Sequence, residues 1–500
     1  MNPIYTNTIL DVEVLTPTHI GMAQEKNYVR GLDFMIRQNP KGDDKTLYIL
    51  HPDRIIAQIA RNPDDLTKLN TQLSQGKYEG IESLLNQLNV LTIATNIVRS
   101  ELVYDDKISE IRRQLSSGLG DYLIAGSSLK GAIRSVIYKE LKRRVPSAND
   151  TQMFGQITDN LMNLLIVSDT TVPNDSIKVY STKVYSADGR PENGEGQWKQ
   201  HNKKHSPEPK HIKEFSTQGF ISYYEAIKPK TTTQVRIGIK SNAGHRKLTK
   251  IPNNDLFVGK SAIDLIGLIK AHTKAYLERE IKYYNAYKND DLKQIAIDKL
   301  NVLLAQNNET NSCVIRVGAN VGFHAITGDW QFTTHTEGWH FNAQSQVYQI
   351  KAKTRKFTFI KTRDGFDFQP MGFLKLTLLT QEEIEKRNAE QQKTLVAAQA
   401  EMQRKAEEMI NAAEAARIAA EEAKKPKVFE GKLKRSSTID AEVMNVSGNV
   451  AKIKLYVSNH EDRLFELRYA GLQIGQTLEV EVKDISGKGV VLAVGFKKIK

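Results

Sequence analysis

The sequence predicts an α+β protein that continues into a helical spacer and a small all-β domain. Three observations predict this. Apolar residues alternate early in the chain, with Leu10, Val12 and Val14 on one face of a strand at Thr8–Leu15. A strand, a glycine turn and an amphipathic helix follow at Asp121–Arg144. From Thr380 to Lys425 Ala, Glu, Gln, Lys and Arg dominate with no Gly or Pro, and short apolar runs separated by glycine turns then lead to Lys500.

Taken in order, Thr8–Leu15 is a strand that stops at Pro17, and Gly21 marks a turn. Tyr28–Arg37 and Thr46–Leu50 read as further strands. Arg54–Arg61, capped by Asp53, reads as a helix, as do Gly80–Val98 and Asp106–Leu115. The helix in Asp121–Arg144 ends before Pro146. Leu161–Thr171 and Ile177–Tyr185 are strand-like, and Gly219–Lys228 and Thr231–Lys240 read as paired strands. Residues 186–216 are polar, basic and rich in Gly and Pro, so an exposed mobile loop is expected, with Trp198 a candidate for stacking on a base. Ser261–Tyr287 and Asp290–Ala305 read as helices. Cys313–Trp330 reads as a strand running into a glycine-rich segment, and Met371–Leu379 as a last strand.

These readings divide the chain into residues 1–150, 151–380, 381–426 and 427–500. The third is a solvent-exposed spacer helix, because its apolar stripe is sparse and Ala-rich. The fourth is a small β-barrel with strands at Gly431–Lys434, Asp440–Val446, Val450–Val457, Thr477–Asp484 and Val490–Phe496. Such barrels serve as single-strand nucleic-acid binders or as protein-interaction modules, and both readings stay open.

Composition narrows the class. Lys and Arg number 71 against 58 Asp and Glu, a formal charge of +13 that favours polyanionic partners. The single cysteine, Cys313, excludes an internal disulfide and a multi-cysteine zinc site. No stretch approaches the roughly 20 apolar residues of a membrane span, and the first residues lack a secretory signal, so a cytoplasmic protein is expected.

The chemistry centres on Asp121–Arg144. Gly126 permits a bend, and Ser127 or Ser128 supplies a helix cap. Leu129, Ile133, Val136, Ile137 and Leu141 form the buried face. Lys130, Arg134, Tyr138 and Lys142 form a second stripe, with Gly131 between the two. A helix N-terminus, two hydroxyls and a basic ridge suit a phosphate backbone, although a solvated amphipathic helix fits the same pattern. Gly126-x4-Gly131 is not a P-loop, because Ala132-Ile133 stands where Lys-Ser/Thr is required. Ser127-x-x-Lys130 matches a serine-hydrolase motif whose companion motifs are absent. Gly318-x3-Gly322 lacks the dinucleotide-binding spacing. A plain turn and a ligand-contacting loop are both compatible with it. His324, His335 and His340 do not share a helix face, so no metal site and no cofactor are expected.

Three stretches together resemble the RAMP-type proteins of CRISPR–Cas systems, and within them the fifth-subunit family of the type III-A (Csm) effector. These are LTPTHIG at 15–21, IAGSSLKGAIRSVI at 124–137 and RVGANVGFHAITGDW at 316–330. The resemblance covers about residues 1–380 and departs at Ala125, where the family has proline. It implies ferredoxin-like, RRM-related folds in 1–150 and 151–380, and the tail is similar to OB or ribosomal-S1-like barrels. It further implies a non-catalytic subunit that binds CRISPR guide RNA and caps its 3′ side. That subunit sits among the backbone and other subunits and meets target RNA indirectly. RNA-contacting residues then fall on His19 and Gly21, on Gly126, Ser127, Ser128, Lys130, Gly131 and Arg134, and on Arg316, Gly318, Gly322, Phe323 and His324. Related folds cleave RNA without metal, so an endoribonuclease using His19 or His324 is the alternative. A hydrolase through Ser127 and Lys130 is a third reading. Asp33, in a strand-like run, is assigned no catalysis.

Overall fold

The computed structural model describes residues 6–22, 27–38, 45–50, 56, 59, 62–75, 77–87, 94–100, 108–118, 120–188, 195–200, 211–240, 250–285, 290–322, 325, 339–342, 347–350, 354–387, 425–458 and 463–500, with single positions between 389 and 414. The chain divides into two compact units, Met1–Ile384 and Glu385–Lys500.

The first unit is built on a five-stranded antiparallel sheet. Its strands are β1 (Thr6–Val14), β2 (Leu165–Val167), β3 (Thr232–Ile239), β4 (Ser312–Arg316) and β5 (Phe373–Leu378), in the order β4-β5-β1-β3-β2. Three helices accompany them: α1 (Gly126–Arg144), α2 (Ala262–Asn285) and α3 (Asp290–Asn307). Register places Val12 opposite Leu376 and Val14 opposite Leu374, so one face of β1 and β5 is continuous and apolar. Leu129, Ile133, Val136, Ile137 and Leu141 of α1, with Leu265, Ile266 and Ile269 of α2, cover that face. Each such side chain stabilises the fold by about 2 kcal/mol when fully buried. The buried face of α1 is therefore the one its periodicity predicts. Along β4, Cys313 and Ile315 point into this core, and Val314 points into a second one with α3 and Phe357.

The second sheet surrounds one long strand, Ile177–Asp188. One edge pairs with Ile221–Ile227 and then Glu195–Lys199; the other meets Thr354–Thr362 and the end of Ala94–Ser100. Several local expectations are corrected here. The helix expected over Gly80–Val98 is Tyr78–Gln87, and Ala94–Ser100, rich in β-branched residues, pairs antiparallel with Lys45–Leu50. The helix expected over Asp106–Leu115 is an extended segment from 108 onward. Arg112 N–H donates to Tyr223 O, Glu225 N–H to Arg112 O, and Leu115 N–H to Ile20 O, so partners distant in sequence replace helical ones. Tyr28–Arg37 is broken by a turn in which Gly31 has φ +82°. Asp33 sits in that turn and its carboxylate accepts from Val29 N–H at 2.8 Å. Leu161–Thr171 begins as a short 3-10 turn, and its extended part is split in two at 168–169. The helix expected at Arg54–Arg61 lies almost wholly outside the described residues.

Trp198 is also corrected. It is fully buried, because Glu195–Lys199 is a strand and Trp198 lies opposite Tyr185. Its ring stacks on Phe368 at 5.0 Å and meets Tyr185 edge-on at 5.4 Å. An indole buried that way cannot stack on a base.

In the second unit every described residue between 389 and 414 is helical. In the first unit the helical run opens at 381 with a reciprocal cap, Thr380 N–H to Glu383 Oε2 and Glu383 N–H to Thr380 Oγ1. The tail is a five-stranded antiparallel sheet in the order Leu464–Arg468, Val450–Leu455, Thr438–Ser447, Thr477–Ile485, Val491–Ile499. Its outer strands meet: Arg463 Nη1 donates to Val491 O at 3.4 Å, and Tyr469 stacks on Phe496 at 3.7 Å. Alternate residues Ile439, Val443, Ile453, Phe465 and Val480 fill the interior. The expected strand at 431–434 is not formed, and the strand at Leu464–Arg468 takes the fifth place. Among the described residues no helix is long and apolar enough to cross a membrane.

Candidate nucleic-acid interface

The sequence stretches 15–21, 124–137 and 316–322 meet in space. Val317 N–H donates to Gly372 O, Gly372 N–H to Pro17 O, and Ala319 N–H to His19 O, at 2.7, 2.9 and 2.8 Å. These backbone bonds bring three strands of chain closer than side chains allow. Gly318 has φ +90°, and a Cβ there would stand 2.3 Å from the carbonyl oxygen of His19. Gly372 has φ +89°, and its Cβ would stand 2.4 Å from Val317 O. The close approach that glycine permits is thus to the protein's own backbone. Gly372, before β5, was not singled out by sequence; a Pro-Met-Gly run at a strand start is its only signal.

The junction leaves an open groove of about 400 Å³. Of the residues expected to contact RNA, Gly21, Ser128, Gly131, Arg316 and Gly318 line it together, joined by Ala132, Ser135 and Ala319. Ser128, Gly131, Ala132 and Ser135 recur at 3, 4 and 7 residues, which is one face of α1 and a narrow one. Among the described residues nothing lies within 4 Å of the position a Gly131 Cβ would take. Gly131 therefore keeps the groove wide and serves no internal packing. Arg316 is fixed at the rim. Its Nε donates to Met371 O at 2.9 Å, its Nη1 donates to the Tyr276 hydroxyl, and its guanidinium lies 4.7 Å from the Phe373 ring centre.

Lys130 and Arg134 do not line this groove. Arg134 donates to Asp150 at 2.8 Å and lies 4.2 Å over the Phe154 ring. Lys130 is half-buried, and that desolvation lowers its pKa. The helix start is not capped by a serine. Ala125 is the N-cap residue and makes no side-chain bond, while Gly126 N–H donates to Asp169 Oδ1 at 2.7 Å. A Cβ on Gly126 would stand 2.3 Å from Val167 O, so this glycine too serves backbone packing. Ser127 is exposed, and no hydrogen bond joins it to Lys130 among the described residues. The hydrolase reading therefore lacks its nucleophile–base contact. Gly322 (φ +81°) lies beside the groove; Phe323, His324 and His335 lie outside the described residues.

His19 is buried, which corrects its expected place at the RNA surface. Its Nδ1–H donates to Glu225 O at 2.6 Å, leaving Nε2 as a lone-pair nitrogen against Gly21. Burial pushes its pKa down from 6.5 to about 4, against the opposing effect of that hydrogen bond. Glu225 is fully buried beside it, and burial raises its pKa from 4.5 to about 7. Its carboxylate accepts from Gln114 N–H at 3.0 Å and from the Tyr122 hydroxyl at 3.2 Å. Gln114 in turn accepts from Ile20 N–H and donates to Leu123 O, both at 2.9 Å. This network pins the opening motif from beneath.

The pair has opposed pH dependences. The raised Glu225 contributes stability that is present below pH 4.5 and lost as pH rises through 7. The depressed His19 contributes stability that is present above pH 6.5 and lost as pH falls towards 4. Between about 4.5 and 6.5 the two slopes oppose. Glu225→Gln removes one of them, so its stability should rise from pH 4 to 6.5 by on the order of 3 kcal/mol more than the wild type's. Urea midpoints across that range measure it. A variant profile parallel to the wild type's would show that the two groups do not titrate in this way.

The family model described as the RAMP superfamily matches residues 11–316, more than half of the 500. No curated protein matches the sequence. Among solved structures, one similar chain belongs to a cryo-EM structure of a Csm–crRNA–target RNA ternary complex in a type III-A CRISPR–Cas system. It has 20% identity and a TM-score of 0.46, with 74% of this chain and 100% of that one covered. Another is the crystal structure of T. onnurineus Csm5, with 15% identity, a TM-score of 0.41 and the same coverage.

Proposed function

The chain belongs to the RAMP superfamily, and from that premise we propose that it is a non-catalytic RNA-binding subunit of a type III-A (Csm-type) CRISPR effector. In this reading it caps the 3′ side of the guide RNA among the backbone and other subunits, in the cytoplasm, and meets target RNA only through the guide. The first unit then holds ferredoxin-like RAMP lobes, and the tail is an OB- or S1-like barrel.

One observation carries the reading. Three stretches, separated by more than 100 residues each, are folded together to make one groove lined by glycines, Ser and Ala side chains, the branched Ile20, Val317 and Val321, and a single fixed arginine. A groove of that kind admits a sugar–phosphate backbone closely, and Arg316 offers a planar donor at its rim. Of the predicted stripe, Arg134 is paired with Asp150, and Lys130 is half-buried beside it. Nothing at His19 supports the ribonuclease alternative: the imidazole is buried, and one nitrogen is committed to a backbone carbonyl.

Gly131→Gln tests the reading, because it fills the groove without touching the core. Removing a glycine from a helix interior should raise stability by about 0.5–1 kcal/mol. Affinity for single-stranded RNA should fall about tenfold or more, equivalent to roughly 1.4 kcal/mol. Guide RNA recovered with the tagged protein from its own cells should fall in parallel. Unchanged affinity and guide content in a folded variant would overturn the proposal.

A further inference from the structure

We infer that the RNA path continues out of the glycine groove along α1 into a second, cationic groove between α1 and α2. This rests on the RNA-binding reading above and extends it to a site that reading does not name.

The face of α1 that carries Ser128, Gly131, Ala132 and Ser135 continues at helical spacing to Lys139, Lys142 and Arg143. From Ser128 to Arg143 this track runs about 22 Å. Its small residues line the first groove. Its cations line a second groove of about 490 Å³, whose far wall is α2. Among the described residues that line the second groove are the cations Lys139, Lys142, Arg143 and Arg279 and one carboxylate, Glu140, with the apolar Leu268 and Ala271 between them. The Lys142 ammonium is held in place by Ala148 O at 2.7 Å and Pro146 O at 3.2 Å. Glu140 is shared by Arg143 and Arg144, at 2.9 and 3.0 Å. The excess of positive charge over an apolar floor matches a nucleotide chain, with phosphates on the rim and bases on the floor. An acidic helix of a partner protein has similar chemistry, but it would not account for one helix face passing from the first groove to the second.

The test uses the full chain carrying Lys139→Gln and Arg143→Gln together. Arg144 remains to pair Glu140 when Arg143 is replaced. Binding is measured with oligouridylates of about four and about sixteen nucleotides at several salt concentrations. The expected result is a salt slope on the long RNA smaller by about 1.4, from two lost phosphate contacts. The short RNA, which the first groove accommodates, should be less affected. An unchanged slope with Gly131→Gln still impairing binding would overturn this inference and leave the RNA-binding reading standing. Unchanged binding in both variants would overturn both. An unchanged slope with loss of co-purifying effector subunits would make the second groove a protein-docking face and overturn the inference.

Discussion

Gly318→Ala is expected to be strongly destabilising for a change of a single methyl group. Its backbone sits at φ +90°, where an L side chain costs about 1–2 kcal/mol before any contact is counted. The added carbon would also stand 2.3 Å from the His19 carbonyl oxygen. That oxygen is backbone, pinned by the Ala319 N–H bond and by the His19–Glu225 bond on the same residue, so it cannot yield as a flexible side chain would. Relief requires the 316–322 turn to lift off the opening motif, which dismantles the groove. Total destabilisation on the order of 4 kcal/mol follows, with loss of RNA binding. Gly322→Ala is the internal control. Its φ is +81°, but among the described residues nothing lies within 4 Å of the new carbon, so the conformational cost dominates. Similar melting temperatures for the two variants would show that the backbone junction does not hold the groove together.

The contrast between these glycines also shows what a sequence conceals. The apolar rows of α1 and β1 were legible, because burial on one face leaves a period in the residues themselves. The glycines of 316–322 were legible as unusual, but the partner of Gly318 was not, since a residue 299 positions earlier supplies the carbonyl it approaches. The basic stripe of Lys130 and Arg134 drew attention because charge is visible in sequence. The face that lines the groove is made of Ser, Gly and Ala, which carry no such mark. Ile108, Ile111 and Gln114 mimic helical spacing, although their segment is held extended by partners in 20 and 223–225. Trp198 sat in a polar stretch, and only its register opposite Tyr185 places it in a core. Local composition failed wherever distant backbone decided the outcome.

Arg355→Met is expected to lower stability by about 3–5 kcal/mol, the cost of leaving a buried charge without its partner. Arg355 Nε and Nη2 donate to the two carboxylate oxygens of Glu280 at 2.7 and 2.8 Å, and both side chains are less than a tenth exposed. The guanidinium also lies 4.2 Å over the Tyr283 ring. The pair ties α2 to the strand Thr354–Thr362 and so joins the first core to the second sheet. Glu280→Leu should cost a similar amount. The double variant should cost less than the sum, because apolar groups of similar size leave no stranded charge. Urea unfolding of the four proteins closes the cycle, and additive losses would show that the two groups act independently. The consequence reaches the RNA site through one turn of helix. Tyr276, four residues before Glu280, holds Arg316 at the groove rim, and α2 forms the far wall of the second groove. Loosening α2 at Glu280 should therefore weaken RNA binding as well as stability. The conservative Arg355→Lys, which keeps the charge but not the bidentate fork, should restore part of the binding and little of the stability.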